Sequence, residues 1–128
     1  MAKIPDQDKR RFTARQLAEK ARETFNAGRG DTALAMSLLA TAFPCMVNHS
    51  MITPFDALEV AAWVRGGVSH GESVTGRFLL YVWNRHTALE GTAGAFQVPP
   101  FDFDEALGVW DPGSLTAFAA WAESPWYP

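Results

Sequence analysis

The sequence predicts an all-α fold, a compact orthogonal bundle of five or six short helices, and three observations carry that expectation. Start and stop signals for helices recur along the chain, with Thr, Ser or Asp before apolar stretches and Gly or Pro after them. Apolar residues within those stretches repeat at helical spacing. No two segments alternate in the way that a pair of strands would, and a strand without a partner is unstable. The composition agrees, since 48% hydrophobic and 20% charged residues in a 128-residue chain suffice for one buried core. One domain over residues 12–128 is expected, preceded by a mobile basic arm at residues 1–11.

The first helix begins after Thr13, which caps it with Gln16 three residues on. Phe12 is placed to staple onto Leu17. Leu17, Ala18, Ala21 and Phe25 form its stripe, and Gly28 ends it in the left-handed conformation. Asp31 offers the next cap, so a second helix runs over 32–43 with Leu34, Ala35, Leu38, Leu39 and Ala42 on one side. Pro44 stops it, because proline disfavours α geometry in the residue before it. These two helices are expected to pair as a hairpin and pack on a third.

That third helix is expected over 53–65, with Thr53 as cap, Pro54 at the first position and Asp56 in the first turn. Phe55, Leu58, Ala61 and Ala62 share its face, and Gly66-Gly67 closes it. The run Phe78 to Trp83 suits a buried strand or a buried helix equally by composition. A helix from Ser73 to Arg85 is favoured because Val74, Phe78, Tyr81 and Val82 fall on one stripe. Residues 86–101, with Gly91, Gly94, Pro99 and Pro100, form the longest irregular stretch, and a short extended piece is expected near 96–98. Asp102 caps a helix through Trp110. Asp111 caps the last one, with Pro112 at its first position and Leu115, Phe118, Ala119 and Ala122 facing inward.

Charge is distributed unevenly. Residues 1–29 carry eight basic and four acidic side chains, residues 30–85 are close to neutral, and no Lys or Arg follows Arg85. The last third holds Glu90, Asp102, Asp104, Glu105, Asp111 and Glu123, and the whole chain has a net charge of −3. Such a gradient reads either as a basic arm for an anionic partner or as two regions of one fold attracting each other. No apolar stretch reaches the roughly 20 residues of a membrane helix, and the polar N-terminus lacks the apolar core of a secretory signal. Cys45 is the only cysteine. That excludes an internal disulfide or a zinc site of paired thiolates and fits a reducing compartment, so a cytoplasmic location is expected.

Motifs for chemistry do not hold in their contexts. Gly67-Val68-Ser69-His70-Gly71 matches the G-x-S-x-G of a hydrolase nucleophile elbow, but a helix and a double glycine precede it where the motif requires a strand. His49, His70 and His86 show no i, i+3 or i, i+4 pairing that would signal a metal site, so no metal or other cofactor is expected. Asp102-Phe103-Asp104-Glu105 reads as carboxylates complementing a helix start. No P-loop lysine accompanies the glycine pairs. The start of the first helix has the flavour of a helix-turn-helix, yet residues 32–43 contain no Arg, Lys, Asn or Gln to read base edges.

What these readings leave is a protein-interaction or regulatory module that binds another protein or its own copy, with Trp121, Trp126 and Tyr127 in the aromatic tail and Lys9, Arg10 and Arg11 in the arm as candidate contacts. Two alternatives stand beside it. A small hydrolase-like enzyme would assemble Ser69, His70 and Glu72 with the 86–101 loop, and a non-specific nucleic-acid binder would use the arm against phosphates.

Overall fold

The computed structural model describes residues 12–28 and 31–128, and among them it is all-α, with seven α-helices, two 3₁₀ turns and no strand. The expected arm at residues 1–11, including Lys9, Arg10 and Arg11, lies outside the described residues. The helices are α1 (Ala14–Asn26), α2 (Thr32–Thr41), α3 (Ala57–Arg65), α4 (His70–Trp83), α5 (Arg85–Leu89), α6 (Phe103–Val109) and α7 (Pro112–Ala122). No helix among the described residues is long and apolar enough to cross a membrane. The chain divides into two compact units, Met1–Phe55 with Asp111–Trp126, and Asp56–Trp110 with Tyr127–Pro128.

In the first unit, α1 packs on α2 and on α7. Thr13 and Gln16 form the expected capping box, and Gly28 takes a φ of 68°, which glycine adopts without the Cβ conflict other residues meet. Leu17, Ala18 and Ala21 are buried on α1. α2 is buried on most of its circumference, and its two buried hydroxyls are satisfied locally. Ser37 donates to the Ala33 carbonyl at 2.9 Å and Thr41 to the Ser37 carbonyl at 2.7 Å. The helix ends at Thr41, two residues short of the expected boundary, because Phe43 is already extended ahead of Pro44. Asp31 precedes α2 without capping it through its side chain.

On α7 the buried side chains are Ser114, Ala117, Ala120 and Trp121, one position round from the stripe of Leu115, Phe118, Ala119 and Ala122 that the sequence suggested. Three small residues and Trp121 make up the inward side, and Leu115 and Phe118 sit half-buried beside it. Part of the charge gradient is absorbed here. Arg15 reaches both oxygens of Glu123 at 2.8 Å, and Arg22 donates to the Ala120 and Ser124 carbonyls that α7 leaves open at its C-terminal end.

In the second unit, α4 packs against α3, α5 and α6. Helix α3 starts at Ala57, four residues later than expected, because Asp56 rather than Thr53 is its cap. The Asp56 carboxylate accepts the Glu59 N–H at 3.1 Å, whereas residues 52–55 form a turn closed by a bridge between Ile52 and Phe55. The expected face was extrapolated from Phe55, which stands outside the helix. The stripe is therefore Val60, Ala61 and Val64, and Leu58 points to solvent. Gly67, with a φ of 87°, turns the chain into α4.

The segment from Ser73 is helical, as favoured, but α4 begins three residues earlier, at His70, and ends at Trp83, because Asn84 leaves the helix and caps α5. The 86–101 stretch is less irregular than expected, since α5 and a 3₁₀ turn at Gly91–Ala93 occupy its first half. No extended piece lies at 96–98, because Gln97 takes a left-handed φ of 57° while Phe96 and Val98 turn inward. The core of the unit is aromatic around α4. Phe78 meets Phe101 and Trp110 edge-on with ring centres 5.2 and 6.0 Å apart, and Trp110 Nε1 donates to the Thr75 hydroxyl at 2.8 Å.

Gly76 sits where α3 crosses α4, and a methyl group at its Cα would run into Val64 Cγ2 and the Trp63 ring. We expect Gly76→Ala to lower stability by about 2 kcal/mol through overpacking. Chemical denaturation checks it, and Val64→Ala in the same chain should recover part of the loss. A stabilising Gly76→Ala would mean that the crossing has room to spare.

Candidate functional site

The local chemistry of α4 begins with its cap. Ser69 Oγ accepts the Glu72 N–H at 3.2 Å while the Glu72 carboxylate accepts the Ser69 N–H at 3.1 Å. This reciprocal pair is a capping box, the physical role that the G-x-S-x-G pattern serves in this chain. The same bonds hold Ser69 and Glu72 at the helix start, and His70 turns to a different partner. The three residues of the hydrolase alternative are thus neighbours in sequence with separate engagements.

Two turns along α4 stands Arg77, only 6% exposed inside an otherwise apolar stretch of helix. A buried guanidinium requires partners for its donors, and it has them. Its Nη2 donates to Glu105 Oε1 at 2.6 Å and its Nη1 to Oε2 at 3.0 Å, a bidentate pair with α6. Nε and Nη2 also donate to the carbonyls of Pro99 and Pro100, at 3.2 and 2.9 Å. One side chain thereby fixes α6 and the double-proline segment to the centre of the unit.

Glu105 accepts a further bond, from His70 Nε2 to Oε2 at 2.5 Å, with the imidazole more than half exposed. The hydrogen bonds from Arg77 hold the Glu105 carboxyl at about 2, with the His70 bond acting in the same sense and burial opposing both. His70, Glu105 and Arg77 form one hydrogen-bonded cluster in the second unit. Among the described residues no group of three His, Cys, Asp or Glu side chains could hold a metal ion.

The clamp determines which side of α6 is inward. Ala106 is buried, and Glu105 turns toward α4. The opposite side exposes Phe103, Asp104, Leu107 and Gly108, which are neighbours at i, i+4 spacing. Phe103 is 42% and Leu107 52% exposed, and a Cβ built on Gly108 would meet open space. Asp102 caps the helix by accepting the Asp104 and Glu105 N–H groups at 2.9 and 3.4 Å, as its position predicted.

The aromatic residues singled out in the tail are packed. Trp126 is 4% exposed and stacks on Phe25 with ring centres 5.0 Å apart, while its carbonyl accepts the Trp121 Nε1–H at 3.2 Å. Trp121 is buried as well. Tyr127 is half-buried in the second unit, its hydroxyl 3.4 Å from that of Tyr81 and the Arg85 guanidinium 4.5 Å over its ring. Burial, followed by the bond to Tyr81, pushes the Tyr127 phenol up. Both tryptophan side chains are buried within the first unit.

What the motif search missed is the pairing of Arg77 with Glu105 and the outward side of α6. A lone arginine in an apolar helix was a usable signal for a buried charge. Besides Ser73 one turn back, its acceptors lie 22 to 28 residues away, and spacing does not reveal them. Comparison with protein-family models, curated proteins and solved structures finds no match to this chain.

Proposed function

We propose that this chain is an interaction module that binds another protein, and that it works in the cytoplasm. The observation that supports the reading is where large apolar side chains are left in water. Those exposed among the described residues are Leu58, Leu89, Phe103 and Leu107, and all four belong to the second unit. A single exposed leucine is ordinary, whereas their concentration in one unit, with two adjacent on one short helix, is the signature of a surface used for association. Ser69 and Glu72 have their local bonds, which leaves the hydrolase alternative without an activated nucleophile in the described site. The single cysteine supports a reducing compartment.

The test is affinity capture from an extract of the native host, with the wild-type chain beside a variant carrying Leu58→Ser, Leu89→Ser, Phe103→Ser and Leu107→Ser. Substitutions at exposed positions usually cost within about 0.5 kcal/mol each, so circular dichroism and melting should show both chains folded. We expect a protein retained by the wild type and reduced at least tenfold by the variant. Equal retention by both, or none by either, would end the proposal.

A further inference from the structure

We infer that the outward side of α6 is the docking surface, and that its occupant is a basic polypeptide segment with apolar anchors. This rests on the interaction reading above and assigns it a place and a partner chemistry. Phe103 and Leu107 supply a two-residue apolar ridge at i, i+4, and Gly108 beside it leaves room for close approach. The helix is seven residues and about 10 Å long, and the ridge on it spans about 6 Å, a match for one or two turns of a partner helix.

The surrounding charge decides the sign of the partner. Asp102 and Asp104 flank Phe103, and no Lys or Arg occurs after Arg85 in the whole chain. Glu105, the third acid of the helix, is already neutralised by Arg77, so the clamp takes one negative charge out of account and leaves the two aspartates beside the ridge. An approaching lysine or arginine has an unengaged charge to meet at Asp104, and an acidic segment would be repelled. A second copy of this chain would bring the same acidic helix to the contact, with no lysine or arginine on α6 to meet the aspartates.

The experiment uses the full chain, labelled with ¹⁵N, and two 14-residue amphipathic peptides, one of leucine and lysine and one of leucine and glutamate in the same pattern. We expect the leucine–lysine peptide to shift amide signals centred on residues 102–109 and the leucine–glutamate peptide to leave them in place. Leu107→Ser should weaken binding about tenfold by removing one anchor. Asp104→Asn should lessen its dependence on salt. Equal binding of both peptides, or shifts centred elsewhere, would overturn the inference. So would a concentration-dependent dimer in sedimentation that Leu107→Ser abolishes, since the occupant would then be a second copy and the general interaction reading would survive. Failure of the peptide experiment beside a blank host capture would remove both.

Discussion

Replacing Arg77 with methionine is expected to cost this protein about 3 kcal/mol of stability, a large share of the roughly 5–15 kcal/mol that a domain possesses. Methionine keeps much of the apolar stem, so the loss reports on the guanidinium. Without it, Glu105 loses two hydrogen bonds, and the Pro99 and Pro100 carbonyls lose their donor in a part-buried site. Each group left unpaired costs about 1–3 kcal/mol when buried. Urea denaturation monitored by tryptophan fluorescence would measure the loss. Arg77→Lys should recover only part of it, because a single ammonium cannot reproduce the fork that grips both carboxylate oxygens. In a double-mutant cycle, Arg77→Met and Glu105→Gln should together cost less than the sum of the separate changes. A loss below about 1 kcal/mol for Arg77→Met, on the scale of an exposed ion pair, would contradict the clamp.

Acid should undo the same contact over a defined window. The folded-state value of Glu105, about 2, lies below the ordinary 4.5, so its contribution is present in full above pH 4.5 and is lost as the pH falls toward 2. At full weight the depression corresponds to roughly 3 kcal/mol. With 28% of the Glu105 side chain exposed, about 2 kcal/mol is expected. Other carboxylates titrate in the same range, so the informative quantity is the difference between the wild type and Glu105→Gln. Stability curves of the two should converge between pH 4.5 and pH 2. Parallel curves throughout would show that Glu105 titrates normally in the folded chain.

The fold was legible where its determinants are local. Thr13 with Gln16, Gly28, Asp102, and Asp111 with Pro112 each act within one turn, and each stands where the sequence placed it. Asp56 shows the limit of that reasoning. Thr53-Pro54 and Asp56 are both good starts, and the choice between them depended on the turn that joins Ile52 to Phe55. Ser69 was misplaced for another reason. The missing strand spoke against the hydrolase pattern, but the capping-box spacing of Ser69 and Glu72, which starts α4 at His70 and not at Ser73, went unread. The candidate surface was the least legible part. Phe103, Ala106, Leu107 and Trp110 could each face inward by spacing, and Arg77, far away in sequence, selects the side that does. The aromatic tail looked like a contact because its composition resembles one, yet a chain end rich in tryptophan has the same composition when it is folded back on Phe25.

The division of the chain has a consequence for its birth on the ribosome. The first unit is built from two stretches of sequence, Met1–Phe55 and Asp111–Trp126, and the second unit is encoded almost wholly between them. Helices α1 and α2 are synthesised early, but α7, on which α1 also packs, begins 98 residues after the start of α1. Nearly all of the second unit emerges during that interval, whereas the first must wait until α7 has been made. Premature termination near residue 110 would therefore spare most of the later-encoded unit and leave α1 without one of the two helices it packs on.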